Sequence, residues 1–149
     1  MFLQKLVLNE LMASNTFVYQ NPQQIGAYPD WFEVYNPNNF PVDMAGMYVT
    51  DNLANFKTYR IPKGFPATII PALGYKVFCA DDTVAQGPLH VAFKLSSSGE
   101  SLGLADTSGI PIDSIKFGAQ TADVSFGRLP NGTGQFQSIN TPTPGTKNQ

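Results

Sequence analysis

A chain of 149 residues with a net charge of −2 and only 13% charged residues fits one domain, long enough to bury a core without metal or disulfide staples. Its pI near 5.1 offers no cationic field to a phosphate backbone, so nucleic-acid binding is disfavoured. No run approaches the roughly 18 apolar residues of a membrane-spanning helix, and the single cysteine, Cys79, excludes an internal disulfide.

Twelve prolines, 13 glycines and 12% aromatic residues point to short strands joined by turns. The opening Met1 to Leu8 lacks the length and flanks of a complete secretory signal, so an exported protein would be represented here by its mature part. Leu6 to Ala13 alternates loosely around Asn9-Glu10 and reads as a first strand, with a helix as the alternative. Residues 14–29, rich in Asn, Gln, Pro and Gly, read as a long loop and the most mobile segment. Asp30 to Tyr35 is the central strand, stopped by Asn36-Pro37. Phe32 and Val34 share one face, expected to be core, while Trp31, Glu33 and Tyr35 share the other.

Strands follow at Val42 to Asp51, Thr58 to Ile61 and Tyr75 to Ala80, the last preceded by Thr68-Ile69-Ile70 and a turn, then at Leu89 to Leu95, Glu100 to Asp106, Ile110 to Phe117 and Ala122 to Leu129. The tail holds Phe136 and Ile139 as anchors, and its prolines at 142 and 144 make 140–149 an extended surface segment. The expectation is a single all-β domain over 1–149. It is an immunoglobulin-like sandwich of about nine mostly antiparallel strands with no amphipathic helix of useful length.

Several pieces, in order, carry a resemblance: Leu8-Asn9-Glu10-Leu11 with Asn15, Asp30 to Pro37, and Val42 to Asp51. Further along come His90, Phe93-Lys94-Leu95 with Ser98-Gly99-Glu100, Ile112-Asp113, Asp123 to Arg128, and Pro142-Thr143-Pro144-Gly145 with Asn148. Together the chain resembles the bacterial branch of the lamin tail domain family over nearly its whole length. That resemblance implies an immunoglobulin-like sandwich of an exported or surface protein, hence an extracellular or cell-surface address. It also implies a non-catalytic role with protein or cell-surface partners. Nuclear members bind chromatin and protein partners, but this chain lacks their heptads, so filament assembly is not implied. Met47 also departs from the tryptophan common in the bacterial pattern.

No catalytic set stands out and no cofactor is expected. Cys79 alternates with Tyr75 and Val77 as a buried, inert thiol, and His90, at the start of an apolar strand, reads as a structural imidazole; a hydrolase built on His90 is the least favoured reading. Asp81-Asp82 with Asp51 lacks the alternating oxygens of a calcium loop, so no metal site is expected. Glu33, Lys94 and Arg128 each sit among apolar neighbours, and Glu33 is expected to pair with one of the two cations. Trp31 and Tyr35, joined by Tyr48 or Tyr59, could form an exposed aromatic face, which would suit a carbohydrate-binding module as the alternative function. Asn131-Gly132-Thr133 fits a glycosylation acceptor.

Overall fold

Eleven strands, mostly paired antiparallel, make up the computed structural model, which describes residues 3–149. In chain order they are β1 (Val7–Met12), β2 (Asp30–Tyr35), β3 (Val42–Asp43), β4 (Tyr48–Thr50), β5 (Tyr59–Arg60) and β6 (Ile69–Ile70). The remainder are β7 (Tyr75–Ala80), β8 (Glu100–Ala105), β9 (Pro111–Phe117), β10 (Ser125–Leu129) and β11 (Gln135–Ile139). One sheet runs β11-β10-β1-β2-β7, a second β5-β4-β8-β9, and β3 with β6 forms a two-residue ribbon. The molecule is therefore an all-β sandwich, with single-turn 3-10 segments at Pro66–Thr68 and Val84–Gln86 as its only helical elements among the described residues. None of these is long or apolar enough to cross a membrane.

The count exceeds nine because turn-rich stretches break into two-residue pairings and because Gln135–Ile139 is a strand. That segment pairs with β10 from Ser125↔Ile139 to Leu129↔Gln135, closing one edge of the larger sheet. Conversely, Leu89 to Leu95 forms no ladder. It touches the sheet through isolated bridges at His90 and Lys94, although Val91, Phe93 and Leu95 are buried in alternation.

The core lies between the layers. Phe32 stacks on its register partner Phe78 at 5.1 Å and on Phe93 at 6.3 Å, against Val49, Leu102 and Leu104 of the second sheet. Fully burying each such side chain contributes about 1.5–3 kcal/mol. Leu8-Asn9-Glu10-Leu11 contributes two core residues three apart, which strict alternation forbids. The register shift between Leu8 and Glu10 resolves this. Asn9 is the extra residue of a β-bulge, so Leu8 and Leu11 both enter the core and Asn9 and Glu10 both face the other way.

Candidate functional site

The outward face of β1 and β2 is covered rather than wet. Trp31, Glu33 and Glu10 are as inaccessible as Phe32, under residues 13–29 at one end and the C-terminal tail at the other. Tyr19 lies 6.1 Å from the Trp31 ring. The loop that brings it there is tightly held, contrary to the mobility expected of it. The Asn15 amide donates to the Tyr19 and Pro29 carbonyls at 2.7 and 2.8 Å and accepts from Val18 N–H at 3.0 Å. Asp123 accepts from Thr16 N–H at 2.7 Å and from the Thr16 hydroxyl at 2.5 Å. A polar-rich segment fails to be free when its amides close on its own backbone.

The exposed aromatic face is consequently not formed. Trp31 is buried, and its indole N–H finds no acceptor among the described residues. Tyr35 packs on Tyr75 at 5.0 Å. Tyr48 and Tyr59 belong to the other sheet. There Tyr59 sits opposite buried Val49 and packs on the core, while Tyr48 pairs with Arg60 and lies 5.8 Å beneath Lys57 Nζ. The four rings do not meet.

The ion pair expected of Glu33 is also absent. Arg128 reaches across to the second sheet and donates from Nη2 to both Asp113 oxygens at 3.0 and 3.1 Å, and from Nε to the Leu8 carbonyl at 2.9 Å. Lys94 is exposed beside Asp81 at the far edge of β7. Glu33 takes neutral donors instead: Asn9 Nδ2 at 3.0 Å and Gly145 N–H at 2.6 Å. Its direct cross-strand neighbour Glu10 accepts from the Ser125 hydroxyl at 2.5 Å and from Thr143 N–H and Oγ1 at 3.0 and 3.1 Å. Burial without a cation pushes Glu33 up to about 8, only partly opposed by its donors, with Glu10 adding to the rise. Burial raises Glu10 as well.

Around these carboxylates the tail is buckled to the sheet. Asn148 donates from Nδ2 to the Asn9 and Arg128 carbonyls at 2.9 and 3.0 Å, and its N–H to Asn131 Oδ1 at 2.9 Å. Two glycines make the approach feasible. Gly145 holds φ of +83°, which turns its N–H toward Glu33. A Cβ on Gly127 would stand 3.0 Å from both Asn148 Nδ2 and the Asn9 carbonyl oxygen. The Asn131 amide, read from sequence as a glycan acceptor, is engaged by Asn9, Asn148 and the Tyr75 hydroxyl. In the sequence Thr143, Gly145 and Asn148 stand only in the family-like motif of the tail, and nothing local ties them to Asn9 and Glu10 of the first strand. The signal that could have joined them was the broken alternation of Leu8 to Leu11, which forces two polar groups outward together.

Cys79 and His90 lie beside this face, at the end of β7. His90 Nδ1 is 2.9 Å from Asp81 Oδ2 and Nε2 is 2.6 Å from Gln23 Oε1. Both ring nitrogens thus lie within hydrogen-bond distance of a side-chain oxygen. Burial, with the Asp81 charge adding, pushes Cys79 up to about 12, which favours the protonated thiol while no cation is bound. Asp82 and Asp51 take no part in this cluster.

No family model, curated protein or solved structure matches this chain.

Proposed function

We propose that this domain is a non-catalytic, immunoglobulin-like interaction module of the lamin tail type, carried by an exported bacterial protein and binding a protein or cell-surface partner. The observation that carries the reading is a pair of loops fastened to each other with their large apolar side chains turned outward. The Asn21 amide donates to Gln86 at 2.6 Å and Gln86 donates to Gln24 at 3.0 Å, so residues 14–29 and 81–88 form one hydrogen-bonded platform. On it Phe17, Ile25 and Val84 are 70%, 92% and 49% exposed. Apolar groups on preorganised loops lose little further entropy when a partner covers them. The family and the exported address rest on the resemblance of the quoted motifs. The non-catalytic role is supported by the engagement of Glu10, Glu33 and His90 in structural hydrogen bonds.

A photoreactive residue placed at Ile25, in the full chain presented to intact bacterial cells, tests the reading. A discrete cross-linked partner is expected, with no adduct when the probe replaces Gln137 on β11. Equal, diffuse labelling at both positions would remove the proposal.

A further inference from the structure

Cys79 and Asp81 are two residues apart at the end of β7 and so share a side. His90 is delivered to them by residues 89–91, which run parallel to the strand. Cys79 N–H donates to the Leu89 carbonyl at 2.8 Å, and Val91 N–H donates to the Cys79 carbonyl at 3.0 Å. These two backbone bonds fix the imidazole against the thiol. One ligand atom from each of the three residues then lies within 4.8 Å of the other two.

Both ring nitrogens of His90 face oxygen, Asp81 Oδ2 at 2.9 Å and Gln23 Oε1 at 2.6 Å. A neutral imidazole has one N–H and one lone pair. Placing the hydrogen on Nε2, toward the 2.6 Å contact with Gln23 Oε1, leaves the Nδ1 lone pair facing a carboxylate oxygen at 2.9 Å. Two lone pairs at that separation repel; a cation held by both relieves the repulsion, as does the other tautomer with Nδ1–H toward Asp81 and the Gln23 amide turned over. The sulfur beside the pair adds a soft donor that a proton on nitrogen does not use.

We propose that Cys79, Asp81 and His90 form a binding site for a zinc-class divalent metal ion, with His90 coordinating through Nδ1 and Gln23 holding its Nε2–H. Thiolate, imidazole and carboxylate are the donor types that suit Zn²⁺, whereas Ca²⁺ and Mg²⁺ take oxygen cages. Thiolate and carboxylate together balance the 2+ charge, and the thiol proton leaves on binding. Thr83 Oγ1, 3.5 Å from Nδ1, stands near the fourth position, which a water can also fill. Gln23 acts as the outer partner that sets the tautomer of a metal-bound histidine. Two surface depressions give access, one lined by Tyr28, Asp30, Asp81 and Lys94, the other by Gln23 and residues 86–90. The ion would tie β7 to the platform loops through Gln23, an effect independent of what that platform binds.

The test uses the full chain, reduced and stripped with a chelator. Titration with Zn²⁺ against a chromophoric competitor is expected to give one ion per chain. Co²⁺ in its place is expected to show a thiolate-to-cobalt charge-transfer band that Cys79→Ser abolishes. Gln23 is exposed, so Gln23→Ala should fold and weaken Zn²⁺ binding by about 10–100-fold, as loss of an outer-shell partner does. A Co²⁺ spectrum of the unaltered chain without that band overturns the site, as does unchanged Zn²⁺ affinity in Gln23→Ala. Neither readout depends on whether Cys79→Ser folds.

Discussion

The two faces of β2 are both dry, yet they are dried by different means. Toward the second sheet, Phe32 and Val34 meet a regular layer of apolar side chains, with Phe78 and Phe93 stacked beside Phe32. On the opposite face, one residue away, Trp31 and Glu33 are covered by chain without regular structure: Tyr19 from the loop, Thr143 to Asn148 from the tail. Sheet-on-sheet burial is non-directional and tolerates approximation. Cover by irregular chain leaves backbone N–H and C=O groups that must each find a partner, and here Asn9, Glu10, Glu33, Asn131 and Asn148 supply them.

The largest difference between the faces should appear in truncations. Phe32→Ala removes a stacked ring from the layer and is expected to cost about 3–5 kcal/mol in denaturant unfolding. The covered face should respond to pH instead. The carboxyl of Glu33 rises from the ordinary glutamate range to about 8 on folding, so the folded state holds a proton that the unfolded chain releases. Its stabilising contribution is complete below the unfolded value near 4.5 and is lost as pH climbs through about 8. At roughly 1.4 kcal/mol per pH unit, stability should decline by several kcal/mol across that window. Glu33→Gln, which cannot ionise, should flatten the decline; an unchanged slope would mean Glu33 is not the group responsible. Next in size, Asn148→Ala leaves the Asn9 and Arg128 carbonyls without their donor and should cost about 1–3 kcal/mol. It should also make Trp31 no more quenchable by acrylamide, because Tyr19, from the other segment, still covers it.

How much of this was legible differs between the faces for the same reason. Period-two alternation shows that Phe32 and Val34 share a side, and composition shows that the side is core. Alternation equally shows that Trp31, Glu33 and Tyr35 share the other side, but it carries no information about whether that side is wet. That depends on where residues more than a hundred positions away return. The tail's Thr143 and Gly145 meet Glu10 and Glu33 across 133 and 112 positions, and no local pattern encodes such a meeting. Leu89 to Leu95 shows the converse. Its alternation was real, since Val91, Phe93 and Leu95 are buried, but burial against Phe32 satisfies that pattern without a hydrogen-bonded ladder. Gln135–Ile139, polar on its open side as an edge strand often is, looked like tail. The His90 cluster was hidden by the same long-range problem, since Gln23 lies 67 positions from its partner.

The smallest expected effect concerns Arg128, one of the two cations expected beside Glu33 and found instead on Asp113. Arg128 and Asp113 join the two layers, but each side chain is about a fifth exposed, 20% and 19%, so solvent screens the pair and its coupling should stay within about 1 kcal/mol. A double-mutant cycle of Arg128→Met and Asp113→Asn isolates that term. Arg128→Met alone should cost more than the coupling, because Nε also serves the Leu8 carbonyl and Nη1 the Gly134 carbonyl at 3.1 Å, and because the guanidinium lies 4.7 Å over the Phe136 ring. Asp113→Asn keeps an acceptor for Leu8 N–H, which Asp113 Oδ2 now binds at 2.9 Å. The asymmetry therefore predicts a larger single effect at Arg128 than at Asp113. Equal effects with strong coupling would show that the contact between layers is an ion pair first and a backbone clasp second, placing it closer in kind to the charged network once expected around Glu33.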